Sequence, residues 1–156
     1  MSSSPFDIAA ATYDKDFTHS LIGQLQRKRV WQLLIPLLQS YHRPLHILEI
    51  NCGTGEDALA LAKLGHHVTA MDSSEQMIRA ARQKLTASAP EKNSPLFITC
   101  SFNSIADHSF NEPFDLVISN FGGLNCADEK EITRLSKTLS DIITTEGKLF
   151  LVVLAI

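Results

Sequence analysis

The sequence predicts an α/β fold: an open, doubly wound and mainly parallel sheet with helices on both faces and a helical cap ahead of it. Three observations carry that prediction. Five short runs, at 45–50, 68–71, 96–100, 114–119 and 148–154, are rich in Ile, Leu, Val and Phe and read as strands. Their near-continuous apolarity suits strands covered on both faces. Between them lie helical patterns at about 56–64, 74–87 and 128–143. Such alternation gives parallel pairing through right-handed crossovers, and the glycine-rich bend after the first run stands where a Rossmann-like sheet of this kind receives its ligand.

Each element has a local reason. Apolar residues at 21, 22, 25, 30, 33, 34, 37 and 38 come close to helical period, and Pro36 is able to kink or split the segment, so one or two helices are expected over 18–40. With the residues before them they form a cap over 1–44, and 45–156 forms the core of the same compact domain. Gly65 after Leu64 stops the first core helix, and Asp72-Ser73-Ser74 starts the second. His66-His67 read as turn residues on the far side of the sheet, without a metal. The stretch from Ala89 to Pro95 reads as a surface connection, and Gly122-Gly123 as a turn before a helix starting near Asp128.

Bulk composition removes several function classes. A chain of 156 residues with 44% hydrophobic content supports one domain with a real core. A net charge of −3 gives no long-range attraction toward nucleic acid or an anionic membrane, and the run Arg27-Lys28-Arg29 reads as a solvated helix face. The first residues, MSSSPFD, lack the basic start and apolar stretch of a secretion signal, and no window is long and apolar enough to span a bilayer, so a cytoplasmic location is expected. Cys52, Cys100 and Cys126 show no Cys-x-x-Cys spacing and are read as reduced, mostly buried thiols, with neither disulfide nor metal.

The bend Asn51-Cys52-Gly53-Thr54-Gly55 combines glycines that admit a ligand close to the backbone with the free amides of a helix start. Asp72 follows Gly53 by 19 positions and closes the second strand, where a carboxylate accepts hydrogen bonds from both hydroxyls of a ribose. An adenosine ligand is expected. The spacing Gly53-x-Gly55-x-x-Ala58 also fits a dinucleotide, but Glu56 and Asp57 stand in the first helical turn, where a pyrophosphate would sit. Two like charges about 5 Å apart cost roughly 3 kcal/mol at an effective dielectric near 20, against the 0.3–1 kcal/mol or so that the helix dipole returns. A phosphate-free ligand with a cationic centre and an amino-acid end gains instead from Glu49, Glu56 and Asp57.

Leu48-Glu49-Ile50-Asn51-Cys52-Gly53-Thr54-Gly55 together with residues 68–77 resembles motifs I and II of the class I S-adenosylmethionine-dependent methyltransferases of the small-molecule type, and residues 114–120 resemble their fourth-strand motif. The resemblance covers about residues 45–155, and the segment Phe6 to Asp14 is similar to the cap that many members carry. It implies S-adenosylmethionine as cofactor, S-adenosylhomocysteine as product and a small-molecule acceptor. It also implies that Glu49 lies near the methionine ammonium, that Asn51, Cys52, Gly53, Thr54 and Gly55 line the cofactor, that Asp72 takes the ribose, that Ser73 and Met77 flank the adenine, and that Ser119 and Asn120 lie beside the reactive methyl.

Two departures from the family stand out. Asn51 replaces the usual first glycine of motif I, and asparagine tolerates left-handed backbone better than most residues. Ser101 stands where an acidic residue often takes the adenine amino group, and Phe102 beside it offers stacking instead. Tyr13 is a candidate cover for the sulfonium, His19 a candidate base, and Asn120 a candidate acceptor-side group; Phe121 and Asn125 also stand near the mouth, and the alternative to a solvated face for Arg27 or Arg29 is to reach the cofactor carboxylate. Members of the family usually add two strands after the fifth, whereas this sequence stops while still strand-like. The resemblance therefore implies missing C-terminal strands, and the exposed edge favours self-association. A binding module without turnover and a nicotinamide-dependent oxidoreductase stay as alternatives.

Overall fold

The computed structural model describes residues 5–88 and 93–155. Five strands, β1 (His46–Ile50), β2 (His67–Asp72), β3 (Leu96–Thr99), β4 (Phe114–Ser119) and β5 (Ile143–Leu151), form one parallel sheet in the order β3-β2-β1-β4-β5. The order reverses beside β1, so the ends of β1 and β4 diverge there and leave a crevice. Ile50 pairs with Met71 on one side and Ser119 on the other. That register brings Asn51, Asp72 and Asn120 to one level at the carboxyl edge.

The helices are α1 (Pro5–Ala9), α2 (Leu21–Gln39), α3 (Glu56–Lys63), α4 (Glu75–Ala87) and α5 (Glu129–Ile142). Side-chain alternation along the strands splits the core into two layers. Ile47, Leu116 and Ile118 face Leu34, Leu38, Leu61 and Ile78, whereas Leu48, Ile50, Met71 and Val117 face Ile105, Leu135 and Leu139. Each fully buried aliphatic of this size contributes about 1.5–3 kcal/mol. The strands are thus apolar on both sides because both sides are covered.

Ser20, Ser74 and Asp128 cap α2, α4 and α5, the last through a reciprocal box with Glu131. Pro36 sits in the last turn of α2, so its missing N–H removes one helical bond near the end and the helix stays whole. Three short pieces have no periodic signal: a π turn at Asp14–Thr18 and 3₁₀ turns at Phe102–Asp107 and Gly123–Cys126. The fifth strand starts at Ile143, directly after α5, rather than at 148 as expected; Thr144, Thr145 and Glu146 hide the strand in the sequence, and a register shift between Phe114 and Leu116 absorbs the extra residues. Of the Ala89–Pro95 connection, residues 89–92 lie outside the described residues. His66 is buried and its Nδ1 accepts from the Leu45 N–H at 3.1 Å, while His67 opens β2; both lie at the amino ends of the strands.

Candidate functional site

A cavity of about 350 Å³ opens at the carboxyl ends of β1, β2 and β4. Of the residues singled out in the sequence, Tyr13, Glu49, Asn51, Cys52, Gly53, Thr54, Asp72, Ser73, Met77, Phe102 and Asn120 line it. Gly55, Ser101, Ser119 and His19 do not. Gly55 has a packing task instead: its φ is +79°, and a Cβ there would lie 2.7 Å from the Phe97 ring and 2.8 Å from Ala81. Ser119 is fully buried and Ser101 pairs with Ser104 at the start of the 3₁₀ turn. His19 is exposed and outside the cavity lining; its N–H donates to the Asp14 carbonyl at 2.6 Å and its own carbonyl accepts from Gln24 Nε2 at 2.9 Å.

The bend is held by backbone and carboxylate together. Asn51 and Gly53 both adopt left-handed backbone, φ +52° and +55°. The Cys52 N–H donates to the Met71 carbonyl at 2.8 Å, and the Gly53 N–H donates to Asp72 Oδ2 at 2.8 Å. Asp72 Oδ1 accepts from the Ser74 N–H at 2.9 Å. Each Asp72 oxygen can accept a further bond, because a carboxylate has about four acceptor sites, and Asp72 lines the cavity. Burial raises the Asp72 carboxyl above its usual value although the Ser74 and Gly53 amides oppose that. Helix α4 is capped by Ser74 rather than by Asp72.

Glu49 is 2% exposed, and its Oε2 is buried without a hydrogen-bond partner among the described residues. Burial and, next, the nearby Asp57 carboxylate push its carboxyl well above the ordinary range, with Arg27 opposing. Nature seldom leaves a buried carboxylate oxygen unpaired. Burial also raises the Cys52 thiol well above its usual value, so Cys52 is a neutral wall rather than a nucleophile.

The first-turn acids correct two readings. Glu56 is paired with Lys84 at 3.1 Å and Asp57 with Arg27 at 3.0 Å, so the repulsion assigned to them is offset by cations. Arg27 is not part of a solvated face: its side chain is 19% exposed, its guanidinium lies 4.8 Å from the Phe121 ring centre, and its Nη1 is buried without a hydrogen-bond partner among the described residues. Lys28 and Arg29 are exposed as expected. The Trp31 indole N–H and Asn120 Nδ2 also donate to Asp57, at 2.7 and 2.9 Å. One signal was available, since Arg27 lies three, four and seven positions from Val30, Trp31 and Leu34, on the inward face of α2.

The cap closes on the bend through charge. Thr54 Oγ1 donates to Asp14 Oδ1 at 2.6 Å, Lys84 Nζ lies 2.7 Å from Asp14 Oδ2, and Ser74 Oγ donates to Asp7 at 2.6 Å. Tyr13 is thereby held over Gly53, whose added Cβ would come within 3.8 Å of the ring, and burial raises the Tyr13 phenol above its ordinary value. On the opposite wall stand Asn120, Phe121, Gly122, Gly123, Asn125, Cys126 and Leu154. Cys126 is exposed while Cys52 and Cys100 are buried, and all three are free thiols.

A family model described as a methyltransferase domain matches residues 47–147. The chain is 32% identical over 114 residues to the tRNA 5-carboxymethoxyuridine methyltransferase of Escherichia coli (strain K12), which covers 72% of this chain and 43% of that protein. It is 35% identical over 102 residues to the putative methyltransferase YqeM of Bacillus subtilis (strain 168), 65% of this chain and 39% of that one. The chain spans about two fifths of the length of these curated relatives. Among solved structures it resembles the PH0226 protein from Pyrococcus horikoshii OT3 with a TM-score of 0.67 at 27% identity, over 89% of this chain and 64% of that chain. With the family match over residues 47–147, the chain belongs to the methyltransferase domain family, the class I S-adenosylmethionine-dependent methyltransferases that its motifs resemble.

Proposed function

We propose that the cavity binds S-adenosylmethionine and that the chain directs transfer of its methyl group to a small-molecule acceptor. The observation that carries this reading is a pair of opposite and buried atoms on one cavity that have no hydrogen-bond partner among the described residues: Glu49 Oε2 and Arg27 Nη1. An amino-acid end supplies the ammonium for the first and the carboxylate for the second. A pyrophosphate would satisfy Arg27 alone and would set more negative charge beside Glu49, Asp57 and Asp72. The further acceptor sites of Asp72 suit the two ribose hydroxyls.

The cofactor supplies an already activated methyl carbon for in-line displacement. What the chain supplies is alignment: Asp72 and Glu49 fix the two ends of the ligand, Tyr13 and Phe102 cover it, and Asn120 and Phe121 bound the acceptor side. Alignment of this sort is worth on the order of 7–11 kcal/mol when the reacting atoms are well oriented. The reading includes neither metal nor membrane and no nucleic-acid partner. A net charge of −3 supports the last of these, although the Escherichia coli relative acts on tRNA. The same reading assigns the protein to the cytoplasm, where three unpaired thiols stay reduced. No helix among the described residues is long and apolar enough to cross a membrane.

Titration calorimetry with S-adenosylhomocysteine tests the site. Saturable binding is expected, weakened more than about tenfold by Asp72→Asn, which removes charged acceptors, with no thermal shift from NAD. Absence of binding at millimolar S-adenosylhomocysteine would remove the reading. A labelled-methyl assay with the chain in its full-length context then separates transfer from binding without turnover, and includes tRNA among the acceptors offered.

A further inference from the structure

The position where this chain departs from its family's glycine carries a second task. The Asn51 carboxamide spans the crevice between β1 and β4: its Nδ2 donates to the Asn120 carbonyl at 3.1 Å, and its Oδ1 accepts from Ser119 Oγ at 2.8 Å. Both partners belong to the end of β4. Beyond them the chain turns through two consecutive left-handed residues, Phe121 at φ +52° and Gly122 at +73°. For phenylalanine that conformation costs of order 1–3 kcal/mol and persists only where neighbours impose it. Two neighbours do so, because the Asn120 side chain accepts the Phe121 N–H at 2.8 Å while its amide donates to Asp57.

Gly123 completes the arrangement. A Cβ there would lie 2.2 Å from both Cγ and Nδ2 of Asn51, so the carboxamide occupies the space that glycine leaves. Gly123 has ordinary backbone torsions, and its lack of a side chain is required by Asn51 rather than by φ. A glycine at 51 would make none of these contacts.

We propose that Asn51 is a positioning residue: its carboxamide, seated against Gly123, latches the end of β4 and so fixes where Asn120 and Phe121 stand on the cavity wall. It acts through those residues rather than on the methyl group. The inference rests on the cavity being the S-adenosylmethionine site only for its ligand readout, and its second readout needs no ligand.

The test is a double-mutant cycle on Asn51→Gly, Gly123→Ala and the double variant. Glycine at 51 accepts the left-handed backbone, so Asn51→Gly keeps the fold, with a Tm lowered by the loss of its two side-chain hydrogen bonds. The first readout is titration with S-adenosylhomocysteine, followed through the fluorescence of Trp31, whose indole is bonded to Asp57 beside Asn120. Each single change is expected to weaken binding about five- to tenfold, within the range that loss of the latch's two hydrogen bonds allows, and the double change no more than either alone, because both remove one latch. The second readout is amide hydrogen exchange of residues 119–123 in the ligand-free protein, expected to quicken in all three variants to a similar extent. Effects that multiply in the double variant, or exchange unchanged in Asn51→Gly, would overturn the assignment. Failure of the unmutated protein to bind S-adenosylhomocysteine would instead strike the functional reading, and the exchange measurement would still decide the latch.

Discussion

At the scale of single residues, Glu49 stands far from its behaviour in water. Its carboxyl value is raised by burial and by Asp57, which means that the folded protein holds the proton more tightly than the unfolded chain does. Stability from such a group is fully present below the unfolded value near 4.5 and is lost as pH rises toward the higher folded value. In the ligand-free protein Tm is therefore expected to fall, relative to Glu49→Gln, as pH is raised from about that point. Asp14 and Asp115, whose carboxyls are lowered on balance by hydrogen bonds from Lys84 and Arg43, run the other way and are common to both proteins. The comparison with Glu49→Gln isolates the one residue. An ammonium ligand needs the anion, so S-adenosylhomocysteine should bind with release of a proton, more tightly at higher pH, and more than about tenfold more weakly to Glu49→Gln. Calorimetry in buffers of different ionisation enthalpy reads the proton directly; binding without proton release would show that Glu49 is already ionised or stands off the ligand.

At the scale of elements, the joints between helices and sheet are as telling as the elements. Gly55→Ala sets a Cβ with φ +79° against Phe97 and Ala81, so α3 must shift on the sheet. A loss of about 2–4 kcal/mol is expected from strain and overpacking together, read as a lower urea midpoint with unchanged slope. Lys84 ties α4 to Asp14 of the cap and to Glu56 of α3. Its replacement by Met should cost only about 1 kcal/mol, as a partly exposed pair does, but should quicken hydrogen exchange over residues 5–18 while the sheet stays protected. The sequence made the strands and the helices α2 to α5 legible because burial on two faces leaves apolar runs and burial on one leaves a helical period. It also exposed the bend and Asp72, whose spacing is a property of one βαβ unit. The pairings of Arg27 with Asp57, Lys84 with Asp14, and Asn51 with Gly123 were hidden, since each joins residues far apart in the chain; helical spacing could place Arg27 on the inward face of α2 but not name its partner. The polar start of β5 was hidden for a different reason: Thr144, Thr145 and Glu146 fall in the register shift opposite Phe114 to Leu116, at an edge where little is buried.

At the scale of the whole molecule, that edge is the feature with most consequence for behaviour. Among the described residues β5 stands at the edge of the sheet, with β4 on its one paired side, and Leu149 and Leu151 are 50% and 44% exposed, followed by Val153 and Leu154 at 60% and 56%. An edge strand of nine residues presents a row of backbone donors and acceptors, and apolar side chains beside it make pairing with another edge favourable. The charges there do not oppose self-pairing: an antiparallel meeting centred on Gly147 would set Glu146 against Lys148 of the second copy, opposite signs directly across the pair. This chain is therefore expected to self-associate with rising concentration, and Leu149→Lys with Leu151→Lys to abolish it by placing like charges along the edge. Sedimentation velocity over a hundredfold range of concentration measures this; a single monomer boundary throughout would show that the edge is protected by its own twist and by the segment 152–154. That segment is itself anchored, for Val152 pairs with Ser119 and Gly122, and Leu154 is held by both atoms of the Asn125 amide at 2.9 Å. Because Leu154 also lines the cavity, pairing at the edge and the shape of the acceptor side are joined through one short run of backbone, and the lysine variants should bind S-adenosylhomocysteine with an affinity that no longer depends on protein concentration.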